Sequence, residues 1–137
     1  MKNLLTTILI WLALASGLTP VAGFSAEINP FESYTKAYKV CMDKAVSTQD
    51  MVECTEIEYR VQDKRLNVAY KSLISKQTAA RVKQLTELQK LWIRYRDANC
   101  AFYYDPEGGS MARIRANDCM LTMTQDRATE FESMLKN

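Results

Sequence analysis

Apolar positions beyond residue 30 recur at steps of three and four, and no stretch alternates at the two-residue period of a strand. Four helical segments follow from that pattern. The first runs from Pro30 or Phe31 to Val46, with Phe31, Tyr34, Tyr38 and Cys41 on one face. Pro30 suits a first helical turn, where its missing N–H costs nothing. Ser47 or Thr48 then caps a second helix over 49–75, and Asp50 sits at the positive end of its dipole. The stripe of this helix is Tyr59, Asp63, Leu66, Tyr70 and Leu73. Gln77 and Thr78 mark the turn into a third helix over 79–102, where Leu85, Leu88, Trp92, Tyr95, Asn99 and Phe102 form a bundle-type seam. The stretch from Tyr104 to Ser110, with Pro106, Gly108 and Gly109, is a loop. A fourth helix over 111–135 turns Ile114, Leu121, Thr124, Ala128, Phe131 and Leu135 inward. Short connections make successive helices antiparallel neighbours, so the pattern predicts an all-α, four-helix antiparallel bundle.

The chain upstream of the bundle has a different character. Lys2 precedes an apolar stretch from Leu4 to Leu18, broken by Thr6, Thr7, Ser16 and Gly17. Small residues follow at Val21-Ala22-Gly23 and Ser25-Ala26. Residues 1–26 are thus expected to be a signal peptide cleaved near 23–26, and 27–137 the mature helical domain. The apolar stretch is too short and too interrupted for a membrane span, and no cysteine near the cleavage region could carry a lipid. The expected location is periplasmic or secreted, without a stable membrane anchor.

Export changes the reading of the cysteines. Cys41, Cys54, Cys100 and Cys119 are separated by 12, 45 and 18 residues, with no C-x-x-C pair of the kind a zinc site uses. An even count in a small exported chain reads as a disulfide framework. The predicted helix order makes the pairing local. Cys41 and Cys54 flank one interhelical turn, and Cys100 and Cys119 flank the glycine loop. Pairs Cys41–Cys54 and Cys100–Cys119 need no crossing of the bundle, and each is worth roughly 3 kcal/mol in the chain-entropy picture.

Composition removes several classes of function. The chain has no histidine, so the commonest general base and metal ligand is missing, and no catalytic residue, metal or cofactor is expected. Without Lys2, 17 basic residues face 16 acidic ones. That balance provides no basic face for nucleic acid. Glu53, Glu56 and Glu58 open the second helix and read as its solvated, dipole-favoured face. Asp63, Asn67, Arg96, Asp97, Thr124 and Arg127 lie within or beside apolar stripes. Buried charge must be paired, so they are expected to form a structural polar network, Asp63 meeting Arg96 or Arg127. The best candidate for contact with a protein partner is the loop Asp105, Glu107, Gly108, Gly109 and Ser110, exposed, acidic and braced at its base by Cys100–Cys119.

Four segments in order carry a resemblance. They are Asp63-x-x-Leu66-Asn67-x-x-Tyr70, Leu88-Gln89-x-x-Trp92-Ile93-x-x-Arg96-Asp97-x-x-Cys100, Gly108-Gly109-Ser110, and Cys119-x4-Thr124-x-x-Arg127. Together they resemble the LprI-type lysozyme-inhibitor family, in which Cys41 and Cys54 also match the first two cysteine positions. The resemblance implies a periplasmic or surface helical domain that binds a lysozyme-type hydrolase and blocks it. A periplasmic immunity protein against a delivered toxin, and an envelope scaffold without an enzyme target, are the alternative binding roles.

Overall fold

The computed structural model describes residues 34–136, and four helices account for nearly all of them: α1 (Lys36–Lys44), α2 (Thr48–Ser75), α3 (Ala79–Phe102) and α4 (Gly109–Lys136). No strand occurs among the described residues. The expected signal segment 1–26, and a first helix beginning at Pro30 or Phe31, lie outside them. Within them the first helix begins at Lys36, after Thr35, whose hydroxyl accepts a hydrogen bond from the Tyr38 N–H. Ser47 opens α2 with a full capping box. Its hydroxyl accepts from the Asp50 N–H, and the Asp50 carboxylate accepts from the Ser47 and Val46 N–H groups.

Hydrogen bonds between helices fix their relative directions. Tyr70 of α2 meets Thr86 of α3, and Arg96 and Arg127 tie α3 to α4 across Thr124 and Gln89, so successive long helices run antiparallel. α2 and α4 therefore run parallel. Arg113 reaches Gln49 at one end and Arg65 reaches Thr129 further along, both at an offset of 64 residues. This parallel pair is the spine of the bundle. Leu66, Ala69 and Leu73 of α2 close on Ala128 and Phe131 of α4, while Cys54 and Leu121 join Tyr34 and Tyr38 in a second cluster beneath α1. Phe131, Leu121 and Ala128 are wholly buried. Both disulfides form in the local pairing, Cys41–Cys54 and Cys100–Cys119.

Two stripes depart from the pattern read in the sequence. On α2 the buried positions are Val52, Cys54, Thr55, Glu58, Gln62, Leu66, Ala69 and Leu73, so Glu58 and Gln62 stand one residue away from the expected Tyr59 and Asp63. Glu58 is only 1% exposed, although it reads as solvated. The Thr35 N–H at 3.0 Å and the Gln62 amide at 2.7 Å both donate to it, as does the Thr35 hydroxyl. A carboxylate at this depth is tolerated because its lone pairs are met. On α3 the buried residues are Gln89, Arg96 and Cys100. Leu88, Tyr95 and Phe102, expected in the seam, face outward.

Candidate functional site

The residues of the most specific sequence block converge between α3 and α4. Two guanidinium groups lie over the Trp92 ring, Arg96 with its carbon 5.1 Å from the ring centroid and Arg127 at 5.6 Å. Each is a cation–π contact. Arg127 also lies 4.3 Å from the Phe131 ring. Arg96 donates to the Thr124 hydroxyl at 3.2 Å and to the Asp97 carboxylate at 2.8 Å. Arg127 donates to the Gln89 side-chain amide oxygen at 3.1 Å and to Glu130 at 2.6 Å. Arg96 is buried and Thr124 wholly so, while Trp92 and Arg127 also line a shallow groove on the outer side of α3 and α4. This arrangement is an interlock that sets the register of α3 on α4.

Asp63 stands outside that interlock. Its carboxylate accepts from the Asn67 amide at 3.0 Å, one turn along the same helix, rather than from Arg96 or Arg127. The reason is rotation. With Glu58 and Gln62 turned inward, Asp63 falls on the flank of α2, half-exposed. A different chain of bonds connects the elements there. Glu132 of α4 accepts from Arg65, Arg65 donates to Gln62 at 3.0 Å, and Gln62 donates to Glu58, which anchors Thr35 at the start of α1. From the sequence Glu58 is expected on the solvated face, and Gln62, Arg65 and Glu132 carry no expectation. Their signal was a polar i, i+4 pair, Glu58 and Gln62, in register with Leu66, Ala69 and Leu73.

The loop between α3 and α4 is ordered by its own backbone. The Asp105 carboxylate accepts from the Glu107 N–H at 2.9 Å, and the Asp105 carbonyl accepts from the Gly108 N–H at 3.0 Å. Asp105 therefore holds the turn and keeps one carboxylate oxygen for solvent. The loop is shorter than expected, because Gly109 and Ser110 already belong to α4. The two glycines have separate reasons. A Cβ at Gly108 would stand 2.9 Å from the Ala112 Cβ and 3.1 Å from the Asp105 Cβ, so the turn packs on α4 only without one. Gly109 has φ +62° in open space, a conformation that glycine takes without strain.

Aromatic side chains surround this turn. Phe102 is 86% exposed, and Tyr103 and Tyr104 beside it are also exposed, as is Met111 at the start of α4. Phe102 and Tyr103 pack edge to face with centroids 6.1 Å apart. Cys100, immediately before them, is buried and bonded to Cys119. A fixed base thus carries three solvent-facing rings and the carboxylates of Asp105 and Glu107. The sequence reading placed Phe102 in the seam and so saw the loop only as acidic. Three consecutive aromatics entering a proline–glycine turn were the available signal.

Partial desolvation acts on carboxylates elsewhere on α4. Asp118 and Asp126 are both pushed above the usual aspartate range by it. Tyr34 and Tyr38 are also pushed upward by burial. Hydrogen bonds from Arg65 hold Glu132 below the usual range. No helix among the described residues is long and apolar enough to cross a membrane.

Comparison with known proteins gives these residues a context. The family model described as "Lysozyme inhibitor LprI" matches residues 41–131, a span that begins at the first cysteine and includes both disulfides. An uncharacterized protein of Rhizobium meliloti (strain 1021) is 27% identical over 108 residues, covering 69% of this chain and 78% of that protein. No solved structure matches the chain significantly.

Proposed function

Because the chain belongs to the lysozyme inhibitor LprI family, we propose that it is an exported binding protein that blocks a peptidoglycan-cleaving hydrolase by seating the 102–108 loop in the enzyme's cleft. The observation that carries this reading is the cluster of exposed Phe102, Tyr103 and Tyr104 on a turn whose base is fixed by a buried disulfide. Aromatic side chains dominate binding hot spots, and a turn already ordered by Asp105 and Gly108 loses little further entropy on docking. Membership of the family implies a lysozyme-inhibitor-like role, and the loop is where that role has the chemistry to act. Export fits the apolar segment after Lys2 and the engagement of every cysteine in a disulfide.

Charge shapes the expected binding. With 17 basic and 16 acidic residues after removal of Lys2, the mature chain has no strong field with which to steer a basic enzyme. Affinity then rests on the rings, and inhibition changes little with salt. The test is lysis of a cell-wall suspension by several lysozyme types, with and without the oxidised protein. Inhibition is expected at micromolar concentration, weakened about tenfold or more by F102A together with Y104A. Undiminished lysis by every lysozyme at micromolar excess of inhibitor would overturn the proposal.

A further inference from the structure

α3 carries an apolar stripe that the single chain leaves uncovered. Leu88, Leu91 and Tyr95 are 56%, 59% and 62% exposed and follow at steps of three and four along the helix. Leu88 and Leu91 border a groove of about 780 Å³ whose walls include Leu85 of the same helix, Leu73 of α2 and Met134 of α4, and Tyr95 lines an adjoining groove with them. An uncovered stripe of this period is the seam of a helix pair without its second helix.

Charged neighbours of the stripe indicate what would cover it. In heptad terms Leu88 and Tyr95 take position a, and Gln84 and Leu91 take position d. Glu87 and Arg94 then occupy successive g positions on the outer flank, both exposed. In an antiparallel pair, g residues of one helix lie across from g residues of the other. A second copy of α3 centred between Gln89 and Lys90 sets Leu88 on the second copy's Leu91, and Gln84 on its Tyr95. The same register sets Glu87 across from Arg94 of the second copy, and by the two-fold axis does so twice. Parallel pairing loses this match, because it sets the g residues against Trp92 and Asn99, which are uncharged.

We propose that α3 mediates an antiparallel homodimer, with Leu88, Leu91 and Tyr95 as its seam and reciprocal Glu87–Arg94 pairs fixing its direction. Among the described residues Glu87 is bonded only to Lys90 of its own helix, 2.9 Å away and exposed, which leaves the carboxylate able to share a second cation. Phe102, at the next a position, falls across from Gln77 of the second copy, so the seam ends where each aromatic turn begins, at opposite ends of the dimer. The assembly would present two copies of the loop.

Sedimentation velocity of the oxidised protein tests this, over about 1 to about 500 µM. A concentration-dependent dimer is expected, with L91E raising the dissociation constant at least about tenfold. E87R and R94E should each weaken the dimer about tenfold, and E87R combined with R94E should restore it to within about threefold of the parent. Positions 87 and 94 are exposed, so the swaps keep the fold even where a change at Leu91 does not. A monomer across the whole range would overturn the proposal, as would a dimer indifferent to the single charge changes. Loss of hydrolase inhibition by L91E in a monomeric protein would assign the stripe to the hydrolase and overturn it too. Loss of inhibition by Y104A alone, with the dimer intact, bears on the loop and leaves the dimer standing.

Discussion

The two disulfide-stapled hairpins of this protein are held in different ways. In the first, α1 has only 9 residues, too few to be stable alone. It is fastened to α2 by Cys41–Cys54 and by the buried Glu58 carboxylate gripping Thr35. In the second, α3 and α4 have 24 and 28 residues and meet through the Trp92 stack and its two arginines. There the bridge is not needed to attach a helix. It fixes the base of the aromatic turn. The same covalent device is structural tether in one hairpin and positioning device in the other.

Removing the bridges one at a time would break this comparison most sharply. Each closes a short loop, with sequence separations of 13 and 19, and each removal should cost roughly 3 kcal/mol in the entropy picture. The distribution of the loss should differ. C41S with C54S should strip hydrogen-exchange protection from α1 while hydrolase inhibition persists. C100S with C119S should leave α1 protected, loosen the 102–108 turn and weaken inhibition at temperatures where the bundle is still folded. Equal loss of inhibition in both variants would erase the distinction.

A smaller effect probes the polar anchor of the first hairpin. E58A leaves the Thr35 N–H and the Gln62 amide without their buried acceptor, a loss of about 1–3 kcal/mol in chemical denaturation. E58Q should recover part of it, since its amide oxygen still accepts. The protection pattern should resemble that of the Cys41–Cys54 variant, because both release the same helix.

The smallest effect is in the dependence of stability on pH. Glu132 is held below its usual range, so its contribution is present above the unfolded value and is lost as pH falls through the folded one. Asp118 and Asp126 are raised by desolvation, so their effect has the opposite sign, and stability declines as pH rises through their folded values. Stability should therefore rise as Glu132 ionises and fall as Asp118 and Asp126 ionise. E132Q should flatten the acid limb by a few tenths of a kcal/mol, since the Arg65–Glu132 pair is partly solvated. D118N should flatten the limb on which stability falls as pH rises. Thermal melts across the range would read both.

Much of the architecture was legible because helices report themselves locally. The three-and-four spacing, Ser47 with Asp50, and the Pro106–Gly109 segment placed the four helices to within a few residues among those described. The disulfide pairing followed from helix order alone, since cysteines flanking a turn are neighbours in any antiparallel hairpin. The site was less legible. Asp105 and Glu107 were visible as an acidic turn, whereas Phe102 looked like core because it continued the period of α3.

What the sequence determined by itself was therefore periodicity, turns, covalent staples and family. What only the tertiary structure decided was which face of each helix lies inside. A periodic stripe fixes a face relative to its own axis, but the rotation of α2 and α3 depends on what neighbours offer. Thr35 and Arg65 offer hydrogen bonds that draw Glu58 and Gln62 inward, and the arginine–tryptophan stack draws Gln89 and Arg96 inward. Glu58 and Arg96 are buried because Thr35 and Thr124, from other parts of the fold, complete hydrogen bonding that their own helices supply only in part, and apolar residues were left out because α3 meets α4 along only part of its surface.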